Sequence, residues 1–458
     1  MNRLLIVGDH PSLHRGFSSV GRHLARYLHR SGRWRVQFLG RYPRAAAAGE
    51  EPYQVFDVDA VAEEVDGGDE RRFRDLLRVV IGDDPTDPRP TLLLSIGTPY
   101  DQRIVLESLE GIGRRSLVRL VGYMPVDYAP LPPASADLLG RIDVLVPFTA
   151  FARRALAEIC PGIRSPMVSA PIPHGVDLDT FHPPDVTARR NLRRDLFGVD
   201  EDEVVVIGYF GRNSGHKRPD LALRIFAAFA RGEYVRCRAC DRVAAHPIDP
   251  IDGTGRAPAA CPRCGSARLE TGALHANARF YMHTELSARV ERRYAGGWDL
   301  RTLATRCGVQ EQVRFDGSLR IGEGVTDSEL AARMGACDIH LLPFEGGGWE
   351  LTVLETGACG VANVITAVGA PAEYAAPFSE LVPAAALLLG PTGTRAFIDI
   401  GRAVEALERL ATQPGYRRRL ALSGPRVAAA HSWSIVGRQW EELARIIRED
   451  ADFAASTA

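Results

Sequence analysis

The sequence predicts an α/β protein built from two doubly wound, Rossmann-like domains with a small cysteine-rich insert. Three observations carry this. Short unbroken apolar runs, residues 4–7 and 204–207, are what strands buried on both faces require. Each run meets glycine, at Gly8-Asp9 and at Gly208 through Gly211-Arg212, and a helical pattern follows, as in the repeating unit of a parallel sheet. Finally, 458 residues exceed one hydrophobic core and imply two or three domains.

Composition narrows the partners. A formal net charge of −1 gives no bulk attraction to nucleic acid or to an acidic membrane, so no nucleic-acid partner is expected. No apolar run approaches the roughly 20 residues of a membrane span, which still allows peripheral membrane contact. The start, Met1-Asn2-Arg3-Leu4-Leu5-Ile6-Val7-Gly8, reads as a strand rather than a signal peptide, so a cytoplasmic location is expected. Of the eight cysteines, four form two CxxC pairs and the others stand alone in apolar contexts, which agrees with that compartment.

In chain order, the first strand leads through Gly16-Phe17-Ser18-Ser19-Val20-Gly21 into a helix carrying Leu24, Tyr27 and Leu28. Further strands are expected at 36–39, 91–95, 117–123 and 144–147, and a helix at 149–156. Residues 171–183 form a proline-bounded connector containing His174 and His182. A new strand at 204–210 turns at Gly211-Arg212, and residues 213–217 lead into a helix over 219–230 with proline at its first turn. Arg212 and Lys217 flank that turn, as phosphate-gripping cations or as plain surface charge. The sheet resumes at 278–283, 313–315 and 337–342, and runs 361–365 and 385–389 complete it. Residues 402–411 and 417–423 are helical. A last helix over 435–447 has Trp433 on its approach and Trp440 on its face.

Between residues 230 and 278 lies an insert that the basic fold does not need. It holds Cys237-Arg238-Ala239-Cys240 and Cys261-Pro262-Arg263-Cys264-Gly265, with 20 residues between the pairs. Two such knuckles supply four thiolates for a tetrahedral zinc, and the intervening segment is too polar to form a core of its own. The metal would therefore supply the folding energy of a zinc ribbon. Four cysteines leave no open coordination position, so the zinc is expected to be structural. Redox pairing of the two motifs is the alternative.

The richest stretch runs from Leu341 to Gly360, Leu-Leu-Pro-Phe-Glu-Gly-Gly-Gly-Trp-Glu-Leu-Thr-Val-Leu-Glu-Thr-Gly-Ala-Cys-Gly. It reads as a strand end, a glycine turn and a short helix, which together make an anion site from free backbone amides and the helix dipole. Glu355, one to two turns into that helix, suits the vicinal hydroxyls of a ribose. The pattern at 348–360 resembles the signature of the family 4 glycosyltransferases, and Pro173-His174-Gly175-Val176-Asp177 with Phe181 and Pro183 resembles the family's crossing into its second domain. Residues 369–374, with Glu373, resemble the turn that follows the signature.

The resemblance implies a GT-B fold, two Rossmann-like domains facing a cleft. The implied divisions are an acceptor domain over 1–170, a connector over 171–203, and a nucleotide-sugar domain over 204–430. The ribbon occupies 233–277, and residues 431–458 form a helix returning to the first domain. It implies a retaining transferase, with a hexose as the expected cargo. The sugar moves from a nucleoside-diphosphate sugar to a hydroxyl on a small molecule, glycan or glycolipid. Arg212 and Lys217 would grip the diphosphate, with no catalytic metal. Gly16, Gly211, Gly347, Gly348, Trp349, Leu351, Thr352 and Glu355 would line the donor site. In the family a second glutamate precedes Glu355 by eight positions, and here that position is Gly347. Reading Gly346-Gly347 as an insertion assigns its role to Glu345, whereas Glu350 would serve the helix dipole. Asp127, at the carboxyl end of a first-domain strand, is a candidate for the cleft. The rival reading is a degenerate scaffold that docks a partner through its ribbon. Base, acceptor identity and oligomeric state are not legible.

Overall fold

The computed structural model describes residues 2–13, 16–41, 51–57, 68–82, 91–110, 112, 117–159, 170–199, 204–246, 257–286, 297–316 and 324–456. The chain divides into two units, one of residues 1–175, 391–393 and 431–458, the other of residues 176–390 and 394–430.

In the first unit the elements are β1 (Asn2–Asp9), α1 (Gly16–Arg30), β2 (Trp34–Arg41), β3 (Gln54–Asp57), α2 (Gly68–Ile81), β4 (Thr91–Ile96), α3 (Pro99–Leu109), β5 (Val118–Tyr123), α4 (Ser135–Leu139), β6 (Val144–Val146) and α5 (Ala150–Ile159). The strands form one parallel sheet in the order β3-β2-β1-β4-β5-β6. Leu5, Ile6, Leu93 and Leu120 are fully buried within it, as helices on both faces require. His174, in the connector, is buried with its Nδ1 2.8 Å from the Tyr123 hydroxyl, which also donates to the Ile172 carbonyl. Burial pushes the His174 imidazole down to about 3, so it is a neutral structural group.

The second unit contains α6 (Val186–Phe197), β7 (Val206–Phe210), α7 (Pro219–Ala230), β8 (Tyr234–Cys237), β9 (Val243–Ala245), β10 (Leu269–Thr271), β11 (Arg279–His283), α8 (Leu300–Arg306), β12 (Val313–Phe315), α9 (Asp327–Gly335), β13 (Ile339–Leu342), α10 (Leu351–Ala358), β14 (Ala362–Thr366), α11 (Pro371–Tyr374), β15 (Ser379–Val382), β16 (Ala384–Gly390), β17 (Gly393–Ile398), α12 (Ile400–Thr412) and α13 (Pro414–Ala429). Its parallel sheet runs β12-β11-β7-β13-β14-β15. Both units thus repeat one winding, outward from the first strand and then back across it.

One expected strand lies elsewhere. Residues 385–389 do not complete the parallel sheet; β15 does, pairing with β14, while β16 pairs with β17 in a separate two-stranded sheet. Pro383, lacking an N–H, separates the two segments. The apolar run that suggested burial is exposed, with Leu387 at 69% and Leu389 at 74%.

The stretch 171–203 is more than a connector. Asp185 caps α6 by accepting from the amides of Thr187 and Ala188, both at 2.9 Å. Arg193 and Arg189 then reach Asp338 at 2.9 and 2.7 Å. Burial works against that carboxylate, but the two guanidiniums hold its pKa below the usual range. Helices α10 and α13 cross at glycines: a Cβ on Gly424 would lie 2.2 Å from the Gly357 carbonyl oxygen. The last helix, α14 (Trp433–Ser456), belongs to the first unit, where Gly437 lies against the Tyr27 ring and Trp440 meets Tyr123 edge-on at 4.7 Å.

Candidate functional site

Strand order in the second unit reverses between β7 and β13, and ligands of open α/β sheets sit beyond the carboxyl ends of strands at such a point. Two loops leave it, 211–218 into α7 and 343–350 into α10. The buried Tyr209 hydroxyl shapes the first by donating to the carbonyls of Arg212 and Lys217 at 3.2 and 3.3 Å. The loops are tied together by the Glu345 amide, which donates to the His216 carbonyl at 3.1 Å. The second loop is anchored by Trp349, stacked on Tyr374 at 4.5 Å, and by the Tyr374 hydroxyl, which donates to the Glu350 carbonyl at 3.0 Å. Gly369, at φ 66°, comes so close to the Gly347 carbonyl that a Cβ would lie 2.7 Å away.

Both loops end in a non-glycine residue with left-handed backbone, Arg218 at φ 53° and Glu350 at φ 62°. These are the N-caps of α7 and α10, and neither helix has a side-chain cap. Two helix N-termini at one switch point therefore keep amides without a side-chain partner, a setting that favours an anion. Ion pairs cross between the loops. Lys217 donates to both carboxylate oxygens of Glu350 at 2.5 Å, with His216 3.6 Å away. Arg218 donates to Glu345 at 2.7 Å and to both oxygens of Asp220. Burial opposes ionisation of Glu350, but Lys217 and His216 outweigh it and hold the carboxyl at about 2.

Of the residues expected from the sequence, Gly211, Arg212, Lys217, Glu345, Gly347, Gly348, Trp349, Leu351, Thr352 and Glu355 all lie on these loops or the first turns of α10. Arg212 is exposed, and among the described residues its side chain makes no ion pair. Glu355 is half-buried, and its carboxylate makes no hydrogen bond among the described residues. Burial, and then the charge of Asp327, push its carboxyl up to about 8. His216, Arg218 and Arg395, which approaches Glu345 to 3.7 Å, escaped the sequence reading. The signal for His216 and Arg218 was their place either side of Lys217; nothing marked Arg395.

Gly16 and Asp127 belong to the first unit, Gly16 exposed at the start of α1 and Asp127 half-buried beyond β5. That unit has its own polar cluster at the reversal between β1 and β4. His10 lies 2.6 Å from both Ser12 and Asp57, and Arg41 pairs with Asp101 and, at 3.8 Å, with Asp9. The group is drawn from four stretches of sequence, residues 9–12, the ends of β2 and β3, and the first turn of α3, so no local motif announced it.

The four insert cysteines also converge. Their sulfurs all lie within 4.8 Å of one another, with Cys237–Cys264 and Cys240–Cys261 at 3.6 Å. Zinc–sulfur bonds of about 2.3 Å in a tetrahedron put sulfurs roughly 3.8 Å apart, so the set fits that ion. The amides of Ala239 and Arg263 point at the sulfurs of Cys237 and Cys261, both at 3.4 Å, which suits thiolates.

No family model matches the sequence. A curated relative, the D-inositol 3-phosphate glycosyltransferase of Geodermatophilus obscurus, is 28% identical over 233 residues, a match covering 51% of this chain and 40% of that protein. The chain thus matches less than half the relative's length. Among solved structures, the sucrose-phosphate synthase of Thermosynechococcus elongatus superimposes with a TM-score of 0.69 over 98% of this chain and 100% of that one, at 14% identity. Anabaena HepE in complex with UDP-glucose gives 0.61 over 97% and 100%, at 15% identity. Two parallel α/β units of this winding and these structural likenesses make the fold GT-B, and the curated relative is of the family 4 glycosyltransferase type that the motifs resemble.

Proposed function

We propose that the protein is a retaining glycosyltransferase that moves a sugar, with a hexose as the expected cargo, from a nucleoside-diphosphate sugar to a hydroxyl acceptor. One observation carries the reading: two helices without side-chain caps begin at a single switch point, with Arg212 and Lys217 on the loop between strand and helix. Such a place suits a diphosphate, and Glu355, whose carboxyl has no partner among the described residues, suits the ribose beyond it. As the sugar–phosphate bond breaks, charge grows on the diphosphate. Fixed cations and amides stabilise it there without reorganising, so Arg212 and Lys217 act mainly on kcat. The acceptor hydroxyl attacks from the face the diphosphate leaves, and a leaving phosphate oxygen takes its proton. The residues fit this chemistry without a catalytic metal. The cysteine cluster would hold zinc as a structural ion. The acceptor is assigned to the first unit, where Asp127 stands beyond a strand end.

A second reading, a degenerate scaffold that docks a partner through the ribbon, is favoured by the Lys217–Glu350 pair, which neutralises a cation the diphosphate needs. Calorimetry separates the two. UDP, GDP and ADP, with their glucose esters, are titrated into the protein and into Glu355→Gln. A transferase binds at least one diphosphate and its sugar, and Glu355→Gln weakens both because they share the ribose. No binding of any of the six, with the protein folded, would sink the transferase reading.

A further inference from the structure

We infer that Arg242 of the cysteine ribbon is a positioning residue for the donor loops, acting through Asp399 and β17 on the Glu345–Arg218 pair. The inference deepens the transferase reading and rests on it.

β17 reaches that pair with three consecutive residues. The Ala396 amide donates to the Glu345 carbonyl at 2.8 Å. Arg395 and Phe397, two apart on a strand, share a face and take one partner each. Arg395 stands 3.7 Å from Glu345 Oε2, and the Arg218 guanidinium lies 5.2 Å from the centre of the Phe397 ring, within cation–π range. Glu345 Oε2 is buried and makes no hydrogen bond among the described residues. Arg395 stands just too far away to give it one, so a shift of β17 by about 1 Å makes or removes that bond. The setting of Glu345 therefore follows that of β17.

The parallel sheet does not hold β17, which pairs with the exposed β16 in a sheet of two. Its C-terminal end is fixed by the next residue, the buried Asp399. One oxygen of that carboxylate caps α12, accepting from the Arg402 amide at 3.1 Å, and the Asp399 amide donates to the Pro383 carbonyl at 3.0 Å. The other oxygen accepts from Arg242. A cap needs one oxygen, and a neutral side chain supplies it as well. The charge on Asp399 serves the tie to the ribbon.

Arg242 is anchored in its turn. Its carbonyl accepts from the Cys237 amide at 2.9 Å, so the first knuckle and the tie share a hydrogen bond. Zinc, when bound by the four cysteines, would stiffen that knuckle. The ribbon's other end is seated on α7, where the His275 amide donates to the Ala230 carbonyl at 2.9 Å and its ring stacks on Phe229 at 4.2 Å. Arg218 is the N-cap of that same helix. The ribbon thus links the helix that begins at Arg218 to the strand that sets Glu345.

The test cuts the tie from each end. Arg242→Ala removes the cation, and Asp399→Asn removes the counter-charge while keeping an oxygen to cap α12. In either ligand-free variant, hydrogen exchange over residues 343–350 and at Ala396 should quicken about two- to thirtyfold, the range for residues on a coupling path. The double variant should add nothing to the singles, since all three cut one contact. Arg242→Lys, which keeps the charge, should recover most of the protection. Arg238→Ala, which cuts the ribbon's exposed pair with Glu270, should leave residues 343–350 unchanged. In hydrolysis of whichever of UDP-, GDP- or ADP-glucose the protein cleaves, kcat should fall by a similar factor while KM moves less, because the loops act on charge that grows as the bond breaks. Unchanged exchange at 343–350 or unchanged kcat in both single variants, additive singles, or equal quickening in Arg238→Ala would overturn the inference. A wild type that binds none of the diphosphates or their glucose esters overturns the functional reading instead, whatever the exchange shows.

Discussion

Glu355 shows how one side chain can link stability, pH and ligand. Its carboxyl sits at about 8 because burial, reinforced by Asp327, disfavours the charge. The folded value lies above the unfolded one, so the native state prefers the protonated form. Its contribution to stability is complete below the unfolded value of about 4.3 and is lost as pH rises through about 8. The ligand-free protein should therefore lose stability relative to Glu355→Gln between pH 5 and pH 9, in parallel thermal melts. Binding runs the other way. Ribose hydroxyls donate to the ionised form, so affinity for a diphosphate-sugar should rise toward pH 9 in the wild type and stay flat in Glu355→Gln. Parallel pH profiles for the two proteins would remove Glu355 from the site. Arg212, Lys217 and Glu355 were legible in sequence because residue type and spacing alone place them near a helix start. The setting of Glu350 was not. A glutamate there reads as a first-turn acid, and only the sign of one backbone angle turns its side chain back toward Gly347.

At the scale of elements, the ribbon is two matched knuckles. In each, the first cysteine's carbonyl accepts from the amide four residues on, Asp241 at 2.8 Å and Gly265 at 2.9 Å, and that residue is left-handed. The cysteine spacing made this readable. Its platform was not readable, because the contacts are long-range. Arg236 reaches Glu405 and Glu408 on α12 at 3.8 and 3.7 Å, and Arg242 pairs with Asp399, the α12 N-cap. Gly401 admits the ribbon backbone so closely that a Cβ would lie 2.5 Å from the Val243 carbonyl. The ribbon is thus a brace on α12. Metal analysis should find one zinc per chain, and Cys261→Ser should lose it. Because the brace slackens with the metal, hydrogen exchange should quicken in α12 as well as in the ribbon. Quickening confined to the ribbon would deny the brace. The misplaced strand at β16 has the opposite origin. An apolar run alone suggests burial, and only pairing partners, which sequence does not display, decide where such a run lies.

For the whole molecule, the parallel winding of both units was legible because buried strands and glycine turns are local signals. Which residues close each unit was legible only through the resemblance. In the first unit, Trp440, Leu443, Ala444 and Ile447 of α14 close over Leu4, Leu28, Leu92, Leu94 and Val121. A chain cut after residue 430 uncovers that apolar face. It should bind a hydrophobic dye and aggregate, yet still take up zinc and bind the diphosphate, since those residues all lie in the second unit. A truncated protein that stays monomeric and dye-silent would show that the first unit is stable without α14. The same arrangement sets a timetable at the ribosome. The strands of the first unit emerge early, but their covering helix is translated only after roughly 250 further residues, a wait of about 10 to 50 seconds at ordinary elongation rates. Through that interval the nascent sheet is half-clothed, and its apolar face stays open to other contacts until the last helix arrives.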